Sequence, residues 1–209
     1  MKSQVLSEQY TKENEAKTVC KTLKNLTGKT AQAILKETGQ WNTIPVDLDT
    51  ILTTLNIRKR ATTFESLEES DLNKSLGEIS GLVLLKGDDV GIFYKKTDTI
   101  HRKRFTIAHE LAHCCLHGES MLANGYIEYR SSFTSATDPR EIAANTFAGE
   151  LLIPEHQLKK ILSRLIVPSL TALATIFDVS VNVMRARLWD LKVSFFDDSN
   201  VSEGDLGDE

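Results

Sequence analysis

The sequence predicts an α+β fold: a small antiparallel sheet, a histidine-bearing helix and a C-terminal helical subdomain of helix-turn-helix-like pattern. Three observations predict it. Two apolar, β-rich runs, "ISGLVLLK" and "VGIFYK", flank a "GDD" turn signal. The stretch "RFTIAHELAHCCLHG", residues 104–118, repeats apolar residues and histidines at helical spacing. The closing "PSLTALATIFDVSVNVMRARLWDL" breaks into two short amphipathic helices about a "DVS" turn.

The elements follow in order. Ala16, Val19, Cys20 and Leu23 fall at helical spacing over 14–26, and "TGK" stops that pattern. A second short helix covers 30–38 and ends at Gly39. "TIPVDLDTILTTLNI" is a well-signalled helix, with Pro45 near its first turn and Val46, Ile51, Leu52 and Leu55 on one side. Residues 57–77 are polar without clear period and predict an irregular connection. After the two strands and the basic "KKTDTIHRKR" comes the histidine helix, roughly 104–117, with Gly118 as its stop signal. Asp138 suits an N-cap and Pro139 a first turn, so a further helix starts there and ends before Pro154. The resulting division is an N-terminal helical extension (1–43), a central domain (44–166), a helix-turn-helix-like unit (167–193) and an acidic, solvated tail (194–209).

Bulk properties narrow the function. With 209 residues, 41% hydrophobic and 26% charged, the chain can bury a real core. No apolar run approaches membrane-spanning length, and the first residues lack a signal-peptide pattern, so a cytoplasmic protein is expected. Three cysteines, two of them adjacent at Cys114 and Cys115, form neither a disulfide framework nor a zinc knuckle and read as small core residues. The net charge is −4, but "DDSNVSEGDLGDE" alone carries six acids, which leaves the body near +2. Such a near-neutral body lacks the basic signature of a nucleic-acid binder.

"HELAH" fits H-E-x-x-H with His109, Glu110 and His113. Residues four apart lie one turn apart on one helix face, so two imidazoles can converge on a metal ion. Glu110, one step round the helix, cannot easily join them as a ligand but can reach a water at the ion, where zinc lowers the water pKa to roughly 7. Shuffled sequences of this composition give the motif about once in a hundred, so it carries weight without deciding the matter. The bland alternative is an amphipathic core helix packed through Ile107, Ala108, Leu111 and Ala112. His117 continues the stripe but lies two turns from His109, a rise of about 12 Å, too far for one ion. A third ligand must come from elsewhere, and Glu128, Glu141 and Glu150 are the acids available. Glu141 fits best by position. Yet "DPRE" is equally a capping box, in which Glu141 would reach back to the Asp138 amide. The residues alone leave that choice open.

Five pieces in order resemble the ImmA/IrrE-type zinc metallopeptidases: "IPVDLDTILTTLNI", the "ISG" of the first strand, "RFTIAHELAHCCLH", "EIAANTFAGELLIP" and "LATIFDVSVNVMRARLWDL". The resemblance implies a zincin-like site with zinc held by His109, His113 and Glu141, and Glu110 as general base. It also implies a substrate, a DNA-binding repressor or antitoxin-like regulator, whose cleavage relieves repression. Family members commonly carry glycine where this chain has Ala112, a change that favours the helix. Two further expectations concern the surface. "VGIFYK", as an edge strand beside the histidine helix, would pair with an extended substrate. The closing helices carry only Arg185 and Arg187 on the second helix, and Leu173, Ala174, Ile176, Val183 and Leu188 look like packing residues. This points to a packing or partner-binding role, with DNA binding not favoured. "HRKR", 101–104, reads as a solvated loop entering the helix.

Overall fold

The computed structural model describes residues 20–64, 79–124, 128–131, 138–164 and 168–199. In it the chain is mixed α+β, with a four-stranded sheet and eight helices among the described residues. Helices α1 (Lys21–Leu26), α2 (Ala31–Glu37) and α3 (Leu48–Thr54) come first. Strands β1 (Ile57–Thr62), β2 (Ile79–Lys86) and β3 (Asp89–Lys95) follow, then α4 (Ile100–Asn124) and β4 (Glu128–Ser131). Helices α5 (Pro139–Leu152), α6 (Glu155–Leu162), α7 (Leu170–Phe177) and α8 (Val181–Asp190) complete the chain. None of these helices is long and apolar enough to cross a membrane.

The sheet corrects two expectations. It is mixed rather than antiparallel: β2 pairs antiparallel with β3 and β4, but β1 runs parallel to β3. Strand β1 occupies part of the stretch expected to be irregular. Its sequence, "IRKRAT", hides the usual alternation because this is an edge strand, where charge is tolerated and blocks further pairing. Consequently β3, the run "VGIFYK", is not an edge. It is flanked by β1 and β2, so its backbone is already engaged and cannot take up a substrate strand. Ile57, Val83, Val90 and Ile92 are buried on the side of the sheet that packs against α4.

Helix α4 is longer than the sequence predicts, because Gly118 does not end it. Gly118 is a point of close approach instead: a Cβ there would collide with the Thr27 side chain at the end of α1. Beside it, the Gly28 amide donates to the Cys115 carbonyl at 2.7 Å. Helix α3 starts at Asp47, whose carboxylate accepts from the Asp49 and Thr50 amides at 2.9 and 3.2 Å, a cap worth about 1 kcal/mol. Pro45 therefore precedes this helix rather than sitting in its first turn. Helix α5 starts as expected, with Asp138 accepting from the Arg140 amide at 2.9 Å and Pro139 in the first turn. Pro154 then caps α6, a helix the sequence reading left out.

One continuous core runs from Cys20 to Leu188, and Leu23, Leu26, Ile34 and Leu35 of the N-terminal segment belong to it. Residues 1–19, including the first half of the expected first helix, lie outside the described residues. At the other end, the start of the acidic tail folds back. The Phe196 amide donates to the Pro168 carbonyl, the Leu170 amide to the Phe196 carbonyl, and Asp198 accepts from the Thr171 amide at 2.9 Å. Residues 200–209 lie outside the described residues.

"HRKR" is not a solvated loop. It lies in the first turns of α4, where Arg104 donates to the Val46 and Asp178 carbonyls, both at 3.0 Å. The Asp178 carboxylate also meets Arg104 at 3.0 Å and His101 at 3.3 Å. Asp178 takes a left-handed conformation (φ 51°) at the turn between α7 and α8, a position that Asp tolerates better than most residues. Leu173, Ala174 and Leu188 are buried as expected, but Ile176 is exposed and does not serve the core.

Candidate metal centre

Helices α4 and α5 run antiparallel and make one of the most extensive contacts in the molecule, which fixes the site. His109 and His113 lie one turn apart on α4, and their Nε2 atoms converge to 2.8 Å. Glu141, in the first turn of α5, places one carboxylate oxygen 3.2 Å from His109 Nε2 and the other 3.4 Å from His113 Nε2. These three residues group as potential metal ligands. A tetrahedral ion with bonds near 2.1 Å spaces its donors about 3.4 Å apart, so the observed triangle is of the right size, slightly contracted between the imidazoles. The capping-box alternative for Glu141 is excluded, since its carboxylate turns to the histidines while Asp138 caps the helix through its own side chain.

The donor chemistry fits an ion as well. Asn145 Oδ1, an acceptor, lies 2.9 Å from His109 Nδ1. Asn145 therefore accepts from Nδ1–H, and Nε2, aimed at Glu141 and His113, is the ring atom at which a metal would take the place of a proton. The His109 ring, and then that of His113, hold the Glu141 carboxyl well below the usual carboxylate range against the opposing effect of burial. Glu141 is thus an anion, the form in which a carboxylate binds metal. Both histidines are buried and Glu141 is partly buried, so the charge is poorly screened by water.

Glu110 sits one step round α4 and is fully buried. Its carboxylate lies against β2 at Gly81: a Cβ on Gly81 would come within 2.6 Å of Glu110 Oε1 and 2.5 Å of Thr106 Cγ2. The bare backbone of "ISG" leaves this carboxylate its room. His117 stays outside the triangle, with its ring 5.3 Å from that of His113. Glu150 points elsewhere, 3.9 Å from Arg187, and the side chain of Glu128, in β4, lies outside the described residues.

A family model described as the IrrE N-terminal-like domain, of a peptidase family, matches residues 64–189. The chain belongs to this IrrE-like family. No curated protein and no solved structure matches the chain. The matched stretch contains all three candidate ligands and Glu110. It does not cover α1, α2, α3 and β1, and so not the piece "IPVDLDTILTTLNI".

Two residues of this IrrE-like site escaped the sequence reading. Asn145 follows Glu141 by four, hence on the same face of α5, and that spacing was the available signal. Gly81 had none beyond its place in "ISG", because its role depends on which helix crosses β2.

Proposed function

We propose that this protein is a zinc-dependent endopeptidase whose substrate is a regulatory protein, a transcriptional repressor or antitoxin-like partner, in a cytoplasmic setting. The observation that carries the hydrolytic reading is the convergence of His109, His113 and Glu141, with Glu110 buried beside them on the same helix. Zinc bound there supplies Lewis-acid polarisation of a peptide carbonyl and brings the pKa of water near 7. His109 and His113 provide neutral donors, the former oriented by Asn145, and Glu141 provides the negative charge. Glu110 takes the proton of the attacking water and returns it to the departing amine.

Support for a protein partner rather than DNA comes from the two arginines of α8. Arg185 is bound to Asp197, with its closest contact at 3.1 Å, and Arg187 donates to the Ile153 carbonyl at 3.3 Å. Neither is held out for phosphates.

Glu110→Gln should retain one zinc per chain and lower cleavage of a repressor encoded beside this gene by about 10²–10⁴-fold. Cleavage at the wild-type rate would remove Glu110 from the mechanism. A wild-type protein that binds such a repressor without yielding products would make the domain a binding module instead.

A further inference from the structure

Strand β2 meets α4 along one face of the helix, and on that face Arg102, Thr106 and Glu110 follow one another a turn apart. Arg102 is fully engaged there. It donates to the Ser80 hydroxyl at 2.9 Å and meets the Asp98 carboxylate at 3.2 Å. Ser80 is buried where the β2–β4 register shifts, the kind of bulge that re-aims a strand beside a site. Gly81 comes next, and at the place of its missing side chain the Thr106 methyl and the Glu110 carboxylate approach the same point.

Thr106 is the anomaly on this face. It is 1% exposed, and its hydroxyl makes no hydrogen bond among the described residues. A helical threonine has an easy remedy, the carbonyl one turn back. Thr54, Thr146 and Thr175 all take it, at 2.8, 2.9 and 3.0 Å. Thr106 does not, although a buried hydroxyl without a partner weakens a fold. A valine would fill the same space at no such cost, so the hydroxyl has no use in the packing.

We propose that Thr106 is a positioning residue for Glu110, a role that rests on the peptidase reading and deepens it: its hydroxyl donates to the Glu110 carboxylate and holds it in line with the attacking water. Rotation about the Cα–Cβ bond exchanges the methyl and the hydroxyl of a threonine, and both arrangements occur in helices. In this structure the methyl lies towards Gly81 and Glu110. The rotated side chain puts the hydroxyl there, beside a carboxylate four residues on along the same face. A donor binds a carboxylate more strongly when it is charged, so the contact is firmest while Glu110 waits to accept the proton and loosens once it has done so.

The test uses the full chain loaded with zinc. A mixture of synthetic peptides randomised at their internal positions, with products read by mass spectrometry, supplies the peptide that wild type cuts best, and that peptide serves for kinetics. Thr106→Val should keep one zinc per chain and an unchanged KM, melt at or above the wild-type temperature, and lose about tenfold or more in kcat, the usual contribution of a hydrogen bond to a charged group. Thr106→Ser, which restores the hydroxyl without the methyl, should recover most of that loss. A Thr106→Val protein with wild-type kcat, with less zinc, or with a lower melting temperature overturns the role, and so does an equal loss in both variants, which would point to packing by the methyl. In each of those cases the peptidase reading stands. Wild type that cuts no peptide removes the peptidase reading and this role with it.

Discussion

Gly81 of β2 and Glu110 of α4 are packed so closely that a single added carbon on the strand would lie 2.6 Å from a carboxylate oxygen on the helix. The strand thereby limits how the carboxylate can be aimed.

Gly81→Ala should therefore separate metal binding from hydrolysis. The extra carbon must displace the end of Glu110 or the Thr106 methyl, while His109, His113 and Glu141 are untouched. Zinc content should stay at one per chain and kcat should fall by about 10²-fold, the usual cost of a misplaced catalytic group. Full activity in this variant would show that the position of Glu110 is uncritical.

Metal removal should lower the melting temperature, and Glu141→Ala should remove most of that effect. An ion held only by the folded state stabilises it by about 2.7 kcal/mol at a hundredfold excess over its Kd. With one of three ligands gone the Kd rises, so melts of the variant with zinc and with chelator should nearly coincide. A variant stabilised by zinc as strongly as wild type would put the ion elsewhere.

The thiols should be silent in the native protein. Cys20, Cys114 and Cys115 are all buried, and burial pushes the Cys115 thiol up to about 12. The thiolate is the reactive form, so a thiol-specific reagent at neutral pH should label none of the three until denaturant is added. Rapid labelling of Cys115 before unfolding would contradict the packing of α1 on α4.

The anchored start of the acidic tail should be acid-sensitive. Burial would raise the Asp198 carboxyl, but hydrogen bonds from Ser169 and Thr171 outweigh it and hold the group at about 2. A carboxyl lowered in the folded state stabilises above its unfolded pKa, about 3.9, and that contribution disappears as pH falls towards 2. Asp198→Ala should thus melt below wild type at pH 6, with the gap closing between pH 4 and pH 2. A gap that stays constant over that interval would mean that the charge of Asp198 is not what anchors the tail.

How much of this was legible in the sequence depends on how local each cause is. The His109–His113 pair, the Asp138 cap and the Pro139 start are set by neighbours within a turn, and each appears where the spacing puts it. Glu141 was ambiguous because the same residue serves as a capping partner or a ligand, and only the approach of α4 decides between them. Strand β1 was hidden because an edge exposes its charges and breaks the alternation that marks a half-buried strand. Gly118 resembled a helix stop, whereas its lack of a side chain lets α1 approach, a cause 91 residues away in the chain at Thr27. The same holds for "HRKR", whose polarity resembles a loop until Val46 and Asp178 arrive to accept from Arg104.

That last contact has a mechanical result. Arg104 stands little more than one turn ahead of His109 on an unbroken helix, and its far end grips the bend between the two closing helices. The turn of the closing pair and the two candidate metal-binding histidines are thus tied to one helix, with no loop in between.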